Sequence, residues 1–133
     1  MKYLLIGKNG YVGKKFSLLP KLKNDLIQIG RDSFNYYNRK LLGEFIRQNQ
    51  VAFVINAAGY TGKPNVDACE LAKTECLSGN AVLPGIIREV CEDLKIPWGH
   101  ISSGCIYSGR KPDGDGWAEE DEPNFSFRSP PCS

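Results

Sequence analysis

The stretch that decides the fold is LLIGKNGYVGKKF, residues 4–16. An apolar run stops at Gly7, glycines recur at Gly10 and Gly13, and an amphipathic stretch follows. A strand that turns through spaced glycines into a helix lets the backbone approach a phosphate closely and offers the free N–H groups of the helix N-terminus. Glycines are equally common where the chain only needs a tight turn. The stretch therefore predicts a strand–turn–helix unit and leaves open whether its turn binds a nucleotide.

Each glycine has its own purpose if the turn binds a nucleotide. Gly7 permits the turn out of the strand, Gly10 lets the backbone approach a pyrophosphate, and Gly13 lets the helix pack against the sheet. The other candidate cofactor-binding residues of the loop are their neighbours Asn9, Tyr11 and Val12. The spacing G-x-x-G-x-x-G differs from the G-x-G-x-x-G fingerprint, so the loop alone is a weak signal that needs its context.

Strand and helix patterns alternate along most of the chain. Four short apolar runs predict strands over residues 2–6, 26–29, 51–57 and 96–103. Apolar side chains at helical spacing predict helices over residues 11–19, 39–49 and about 67–94. Pro84 lies inside the last pattern and predicts a kink or a break near Asn80. The alternation indicates an α/β fold of the Rossmann type: a doubly wound parallel sheet with helices on both faces.

Composition excludes several classes of function. The 133 residues carry 17 basic and 15 acidic side chains, a balance that argues against nucleic-acid and membrane-surface partners. No apolar run is long enough to span a membrane, and the N-terminus lacks a secretory pattern. The five cysteines form no C-x-x-C pair and His100 is the single histidine, so the sequence predicts no metal site. Reduced thiols favour a cytoplasmic location.

The composition changes towards the C-terminus. From Ser108 onward the sequence is rich in glycine, proline and charge, and no periodic pattern survives. We therefore predict a nucleotide-binding Rossmann domain over residues 1–107, followed by an irregular loop over residues 108–133.

The end of the second predicted strand, IQIGRDS, bears on the choice of cofactor. Dinucleotide folds read the adenosine ribose here, with a carboxylate for a 2′-hydroxyl or an arginine for a 2′-phosphate. Arg31 suits a 2′-phosphate through its planar fork of donors, which favours NADP(H) over NAD(H). Asp32 is the alternative, either as an NAD-reading carboxylate or as a cap.

Several motifs together resemble the extended short-chain dehydrogenase/reductases. GKNGYVG, residues 7–13, resembles the opening of dTDP-4-dehydrorhamnose reductases. VINAAGYTGKPNVDACE, residues 54–70, is similar to the bifunctional 3,5-epimerase/4-reductases of UDP-rhamnose synthesis. SSGCIYSG, residues 102–109, and EEDEPNF, residues 119–125, continue the match, which covers nearly the whole chain.

The resemblance implies a set of site residues. It assigns further cofactor contacts to Asn56, Ala57, Ala58, Gly59 and Ser102. It assigns contacts with a nucleotide-sugar substrate to Thr61, Gly62 and Asn65. Ser103 matches the catalytic serine or threonine that donates a hydrogen bond to the reacting carbonyl. The resemblance also allows a homodimer.

Cys105 distinguishes two branches of the resemblance. Simple reductases tend to carry aspartate at this position, whereas the epimerase-reductases carry cysteine. A thiol of lowered pKa can exchange the proton on a carbon next to a carbonyl, as 3,5-epimerisation of a 4-keto sugar requires. A buried cysteine that only packs is the alternative reading. The other four cysteines are interpreted as packing or surface residues.

The catalytic tyrosine and lysine of the family are missing from the expected position. The family places a Tyr-x-x-x-Lys pair after the catalytic serine, and none occurs there in this sequence. Tyr36 and Lys40 have the spacing but come too early in the fold. We therefore expect the chain to stop before that pair, and these 133 residues alone to have little or no turnover.

The resemblance thus implies the cofactor-binding part of an NADP(H)-dependent nucleotide-sugar 3,5-epimerase/4-reductase. Two other functions stay open from the sequence. One is a non-catalytic, cofactor-binding regulatory subunit. The other is an NAD-dependent nucleotide-sugar 4-epimerase or dehydratase.

Overall fold

The computed structural model describes residues 1–64, 66–102 and 106–125. The chain divides into two compact units, Met1–Ile101 and Ser102–Ser133. The first unit contains a parallel sheet of four strands in the order β2-β1-β3-β4. The strands are β1 (Lys2–Ile6), β2 (Leu26–Ile29), β3 (Val51–Asn56) and β4 (Trp98–His100). The α/β fold predicted from the sequence is confirmed, although β4 is shorter than the predicted run over residues 96–103.

Helices connect successive strands of the sheet. They are α1 (Tyr11–Ser17), α2 (Arg39–Gln48), α3 (Lys73–Leu77) and α4 (Leu83–Leu94). Single 3₁₀ turns cover Pro20–Leu22 and Val66–Glu70. Right-handed crossovers in this strand order place α1 on one face of the sheet, and α2 and α4 on the other.

The long helix predicted over residues 67–94 is interrupted where Pro84 indicated. A π-helical turn over Ser78–Val82 separates α3 from α4, and Pro84 lies in the first turn of α4. That position suits proline, because the first N–H groups of a helix have no partner within it. The predicted break near Asn80 is therefore confirmed, and its form is a widened turn.

The main core lies between the sheet and the pair α2–α4. Alternate residues of β1 point to this face, and Leu4 and Ile6 are fully buried there. Leu42 and Ile46 of α2 pack against them together with Ile87 of α4. Burying a large aliphatic side chain contributes about 1.5–3 kcal/mol, so this layer is a major source of the stability of the sheet.

The second unit has no helix or strand over residues 106–125. Its side chains bond to its own backbone instead. The Tyr107 ring stacks on Trp117 with centroids 5.5 Å apart, and its hydroxyl lies 2.8 Å from the carbonyl oxygens of Ala118 and Asp121. Lys111 and Asp121 form an ion pair at 2.6 Å. The domain assignment to residues 1–107 stays a prediction.

None of the helices in the described ranges is long and apolar enough to cross a bilayer.

The residue that directly follows α4 is strained. Lys95 has φ 56° and ψ 40°, in the left-handed region that glycine adopts without steric cost. We expect Lys95→Gly to raise the free energy of unfolding by about 0.5–1 kcal/mol, measured by urea denaturation. Lys95→Ala is the matched control, since it removes the charge and keeps the Cβ. Equal stability of the two variants would contradict the assignment of strain.

Candidate cofactor-binding site

The turn after β1 touches the backbone that leaves β3. Gly7 has φ 99°, and a Cβ at this position would lie 2.6 Å from the amide nitrogen of Ala58 and 2.7 Å from the carbonyl carbon of Ala57. No side chain fits at those distances. Glycine is therefore required at position 7 both by its backbone angle and by this close approach.

The other two glycines of the motif differ in what requires them. A Cβ at Gly13 would lie 2.2 Å from the carbonyl oxygen of Gly7, so the contact of α1 with the turn excludes a side chain. Gly10 has φ −74° and ψ 165°, which any residue adopts. Its Cβ would meet the Gly7 oxygen at an ordinary 3.5 Å. The fold needs glycine at positions 7 and 13 but not at position 10.

A cavity of about 410 Å³ opens beside this turn. Its walls come from the segments that follow β1, β2 and β3, at the carboxyl edge of the sheet where open α/β folds bind ligands. Seven of the predicted cofactor-binding residues line it: Gly7, Asn9, Gly10, Arg31, Ala57, Ala58 and Gly59. Its volume is within the range of small-molecule sites.

The remaining predicted site residues lie elsewhere. Among the described residues, Tyr11, Val12, Gly13, Asn56, Thr61 and Gly62 do not line this cavity. Ser102 belongs to the second unit. Asn65, Ser103 and Cys105 lie outside the described residues. The roles assigned to all of these residues stay predictions.

Six lining residues were not predicted from the sequence. They are Gly30, Tyr36, Tyr37, Lys63, Gly79 and Leu83. Gly30 carried a usable signal, because it ends the second strand directly before Arg31. Gly79 lies within the π turn that Pro84 indicated and Leu83 directly follows it, but no sequence pattern directs that turn towards the cavity.

The π turn holds the edge of the cavity through Asn80. Its Oδ1 accepts a hydrogen bond from the amide of Tyr60, and its Nδ2 donates to the carbonyl oxygen of Tyr60, both at 2.8 Å. The approach is close, since a Cβ at Gly79 would lie 3.2 Å from the Tyr60 nitrogen. Asn80 therefore fixes the backbone that directly follows Gly59.

Charged groups meet at the end of β2. Lys8 of the glycine turn forms an ion pair with Asp32, its Nζ lying 2.9 Å from Oδ2. The hydrogen bond from Lys8 lowers the pKa of the Asp32 carboxyl. Arg31 lines the cavity and also a neighbouring one of about 520 Å³. Burial raises the pKa of the adjacent Tyr36, while Arg31 acts in the opposite direction.

The described residues include no group of three or more His, Cys, Asp and Glu side chains that could hold a metal ion.

Cys91 is fully buried in the core. Burial raises the pKa of its thiol to about 11, so it stays neutral near pH 7. Cys69 and Cys76 are half-buried. Cys132 lies outside the described residues.

The parallel sheet, the glycine turn after β1 and the cavity at the strand ends define a class of protein, the Rossmann-type α/β domains. The sequence model described as the RmlD substrate binding domain matches residues 1–126. The chain belongs to this family.

Curated relatives of the chain include proteins of Arabidopsis thaliana. A trifunctional UDP-glucose 4,6-dehydratase/UDP-4-keto-6-deoxy-D-glucose 3,5-epimerase/UDP-4-keto-L-rhamnose-reductase is 34% identical over 130 residues, which are 95% of this chain and 19% of that protein. A bifunctional dTDP-4-dehydrorhamnose 3,5-epimerase/dTDP-4-dehydrorhamnose reductase is 31% identical over 128 residues, covering 93% of this chain and 42% of that protein. The chain thus spans less than half of either relative.

Solved structures share the fold. The UDP-rhamnose synthase of Acanthamoeba polyphaga mimivirus superposes with a TM-score of 0.75 at 23% identity, covering 95% of this chain and 46% of that one. A dTDP-4-dehydrorhamnose reductase of Bacillus anthracis, solved in complex with NADP, gives a TM-score of 0.74 at 18% identity, over 92% of this chain and 43% of that one.

The contacts of the glycine turn predict opposite outcomes for two alanine substitutions. Gly13→Ala places a Cβ 2.2 Å from the Gly7 oxygen and should lower the free energy of unfolding by about 1–3 kcal/mol. Gly10→Ala meets only an ordinary contact and loses the modest preference for glycine over alanine at the N-cap of α1, so its loss should not exceed about 1 kcal/mol. Urea denaturation measures both changes. Equal losses in the two variants would show that the turn is arranged differently.

Proposed function

We propose that the chain is the cofactor-binding part of an NADP(H)-dependent nucleotide-sugar 3,5-epimerase/4-reductase that acts on a 4-keto-6-deoxyhexose nucleotide. Membership of the RmlD family and the activities for which the relatives are named support the reaction class. The cavity at the strand ends supports the cofactor. Fold likeness alone does not carry the proposal, because Rossmann folds host many functions.

The observation that carries the proposal is Gly10. It lines the cavity, yet neither its backbone angles nor its neighbours require glycine. A side chain there would extend from the turn whose backbone holds a pyrophosphate in dinucleotide-binding folds. A glycine that the protein's own packing does not require is expected where the backbone contacts a ligand.

The lining residues suggest how the cofactor would be held. The turn containing Gly7 and Gly10 would hold the pyrophosphate, and Arg31 the phosphate on the adenosine ribose. The backbone of Ala57 and Ala58 would lie beside the nicotinamide ribose. Bound there, the reduced cofactor supplies the hydride for reduction of a sugar ketone.

Arg31 and Lys8 support NADP(H) over NAD(H). The guanidinium of Arg31 is exposed at the cavity and can make bidentate hydrogen bonds to a phosphate. Lys8 neutralises Asp32, the carboxylate that would otherwise accept a hydrogen bond from the 2′-hydroxyl of NAD and repel a 2′-phosphate. The positive charges of Arg31 and Lys8 therefore both favour binding of a 2′-phosphate.

The catalytic part of the proposal rests on the sequence. Ser103 would donate a hydrogen bond to the C4 carbonyl oxygen of the sugar. The thiolate of Cys105 would remove the proton from the carbon next to that carbonyl to give an enolate. An acid on the opposite face of the sugar, a side chain or water, would then protonate that carbon, which inverts the centre with no net change in atoms. The activities of the relatives support these roles. We propose a cytoplasmic location on the basis of composition and cysteine usage.

The first test is a fluorescence titration of the full chain with NADPH. We expect saturable binding by the parent. Binding by Gly10→Ala should be at least about tenfold weaker, because its methyl group separates the turn from the phosphates. Matching unfolding curves for the two proteins are the control. Equal affinity of the two proteins would remove the observation that carries the proposal.

The second test concerns the adenosine ribose. We expect Arg31→Ala to weaken NADPH binding about tenfold, the loss of one charge-assisted contact, and to leave NADH binding nearly unchanged. Arg88→Ala is the matched control, since Arg88 is exposed on α4 and pairs with Glu92 away from the cavity. A parent protein that prefers NADH would contradict the assignment to NADP(H).

A further inference from the structure

Asn56 is the one polar side chain among the described residues that belongs to the fully buried core, with 0% of its surface exposed. Its Oδ1 accepts a hydrogen bond from the amide of Ala58 at 3.0 Å. Because that amide can only donate, the orientation of the Asn56 side chain is fixed. Its Nδ2 therefore faces the neighbouring strand β4, towards His100.

His100 completes the arrangement. Asn56 and His100 are direct partners in the register of β3 and β4, so their side chains emerge on the same face of the sheet. Nδ2 of Asn56 lies 3.0 Å from Nδ1 of His100. Since Nδ2 can only donate, Nδ1 is the acceptor in this hydrogen bond, and the ring proton lies on Nε2.

These bonds lead to the cavity wall. The Ala58 amide, which donates to Asn56, packs directly against Gly7. A Cβ on Gly7 would lie 2.6 Å from the nitrogen of that amide. Ala57, Ala58 and Gly7 all line the cavity. A polar connection thus runs from the His100 ring through one buried amide to the backbone proposed to hold the nicotinamide ribose.

We propose that His100 is a positioning residue for the cofactor site: its unprotonated Nδ1 orients Asn56, which fixes the Ala57–Ala58 backbone against the glycine turn. The inference rests on the proposed cofactor cavity. His100 does not line that cavity, so its influence passes through Asn56.

Two variants of equal size isolate the acceptor atom. In His100→Asn the side-chain oxygen stands at the position of Nδ1 and can accept from Asn56. In His100→Leu a methyl group occupies the same place, and a buried N–H donor is left without a partner. Both variants lose the ring equally, including its contact with Trp98 at 6.4 Å between centroids.

The experiment is a titration of the parent and the two variants with NADPH, alongside their unfolding curves. We expect His100→Leu to bind about tenfold more weakly than the parent, and His100→Asn to recover most of that loss. If His100→Leu loses stability but keeps the parent's affinity, the residue is only structural and the inference is overturned. If the parent binds neither NADPH nor NADH, the proposed function fails as well.

A second measurement does not depend on how the variants fold. His100 is the single histidine of the sequence, so its imidazole nitrogens give unambiguous signals in a nitrogen-15 spectrum of the labelled parent. We expect an unprotonated Nδ1 and a protonated Nε2 at pH 7.5. A ring protonated on Nδ1 could not accept from Asn56 and would overturn the inference.

Discussion

One close approach governs this domain: the turn after β1 lies in direct contact with the backbone that leaves β3. The two strands are parallel neighbours, and the amide of Ala57 donates to the carbonyl oxygen of Ile6 at 2.9 Å, one residue beyond the strand pairing. Gly7 continues that contact where no side chain fits. Gly13 then brings α1 against the same turn. The close contacts between the start of α1 and the ends of β1 and β3 therefore depend on the absence of a Cβ at Gly7 and Gly13 as well as on apolar burial.

The same contact divides the glycine motif by purpose. Gly7 and Gly13 are required by close contacts within the protein's own backbone, whereas Gly10 is not. A motif of this kind is usually treated as one ligand-binding unit, yet its members can be separated by what a Cβ would touch at each. The tight-turn alternative left open by the sequence thus accounts for Gly7 and Gly13, whereas the proposed phosphate site concerns Gly10. Gly7 and Gly13 allow the close contacts that form the turn, and this turn places Gly10 at the wall of the cavity.

The sequence predicted the elements better than the site. Apolar runs located β1 and β2 correctly because strands buried in a parallel sheet are read from local composition. The π turn was indicated by Pro84, but its form depends on the contact of Asn80 with Tyr60, twenty residues away in sequence. The Lys8–Asp32 pair likewise requires β1 and β2 to be neighbours. Contacts between distant segments leave no local pattern, which is why lining residues such as Gly79 escaped prediction.

Asn56 illustrates the limit most clearly. Its motif associates it with the cofactor, whereas its side chain is wholly enclosed and bonded at both ends. A leucine has the same branched shape and number of heavy atoms, but it would leave the Ala58 amide without an acceptor, at a cost of about 1–3 kcal/mol. The hydrogen bond of the Asn56 side chain also fixes the orientation of the Ala58 amide, because hydrogen bonds are directional and apolar contacts are not. Backbone pairing joins β3 and β4, and the Asn56 side-chain amide fixes the path of the backbone that follows β3. A polar group at the end of a core strand therefore links the stability of the sheet to the shape of the cavity beside it.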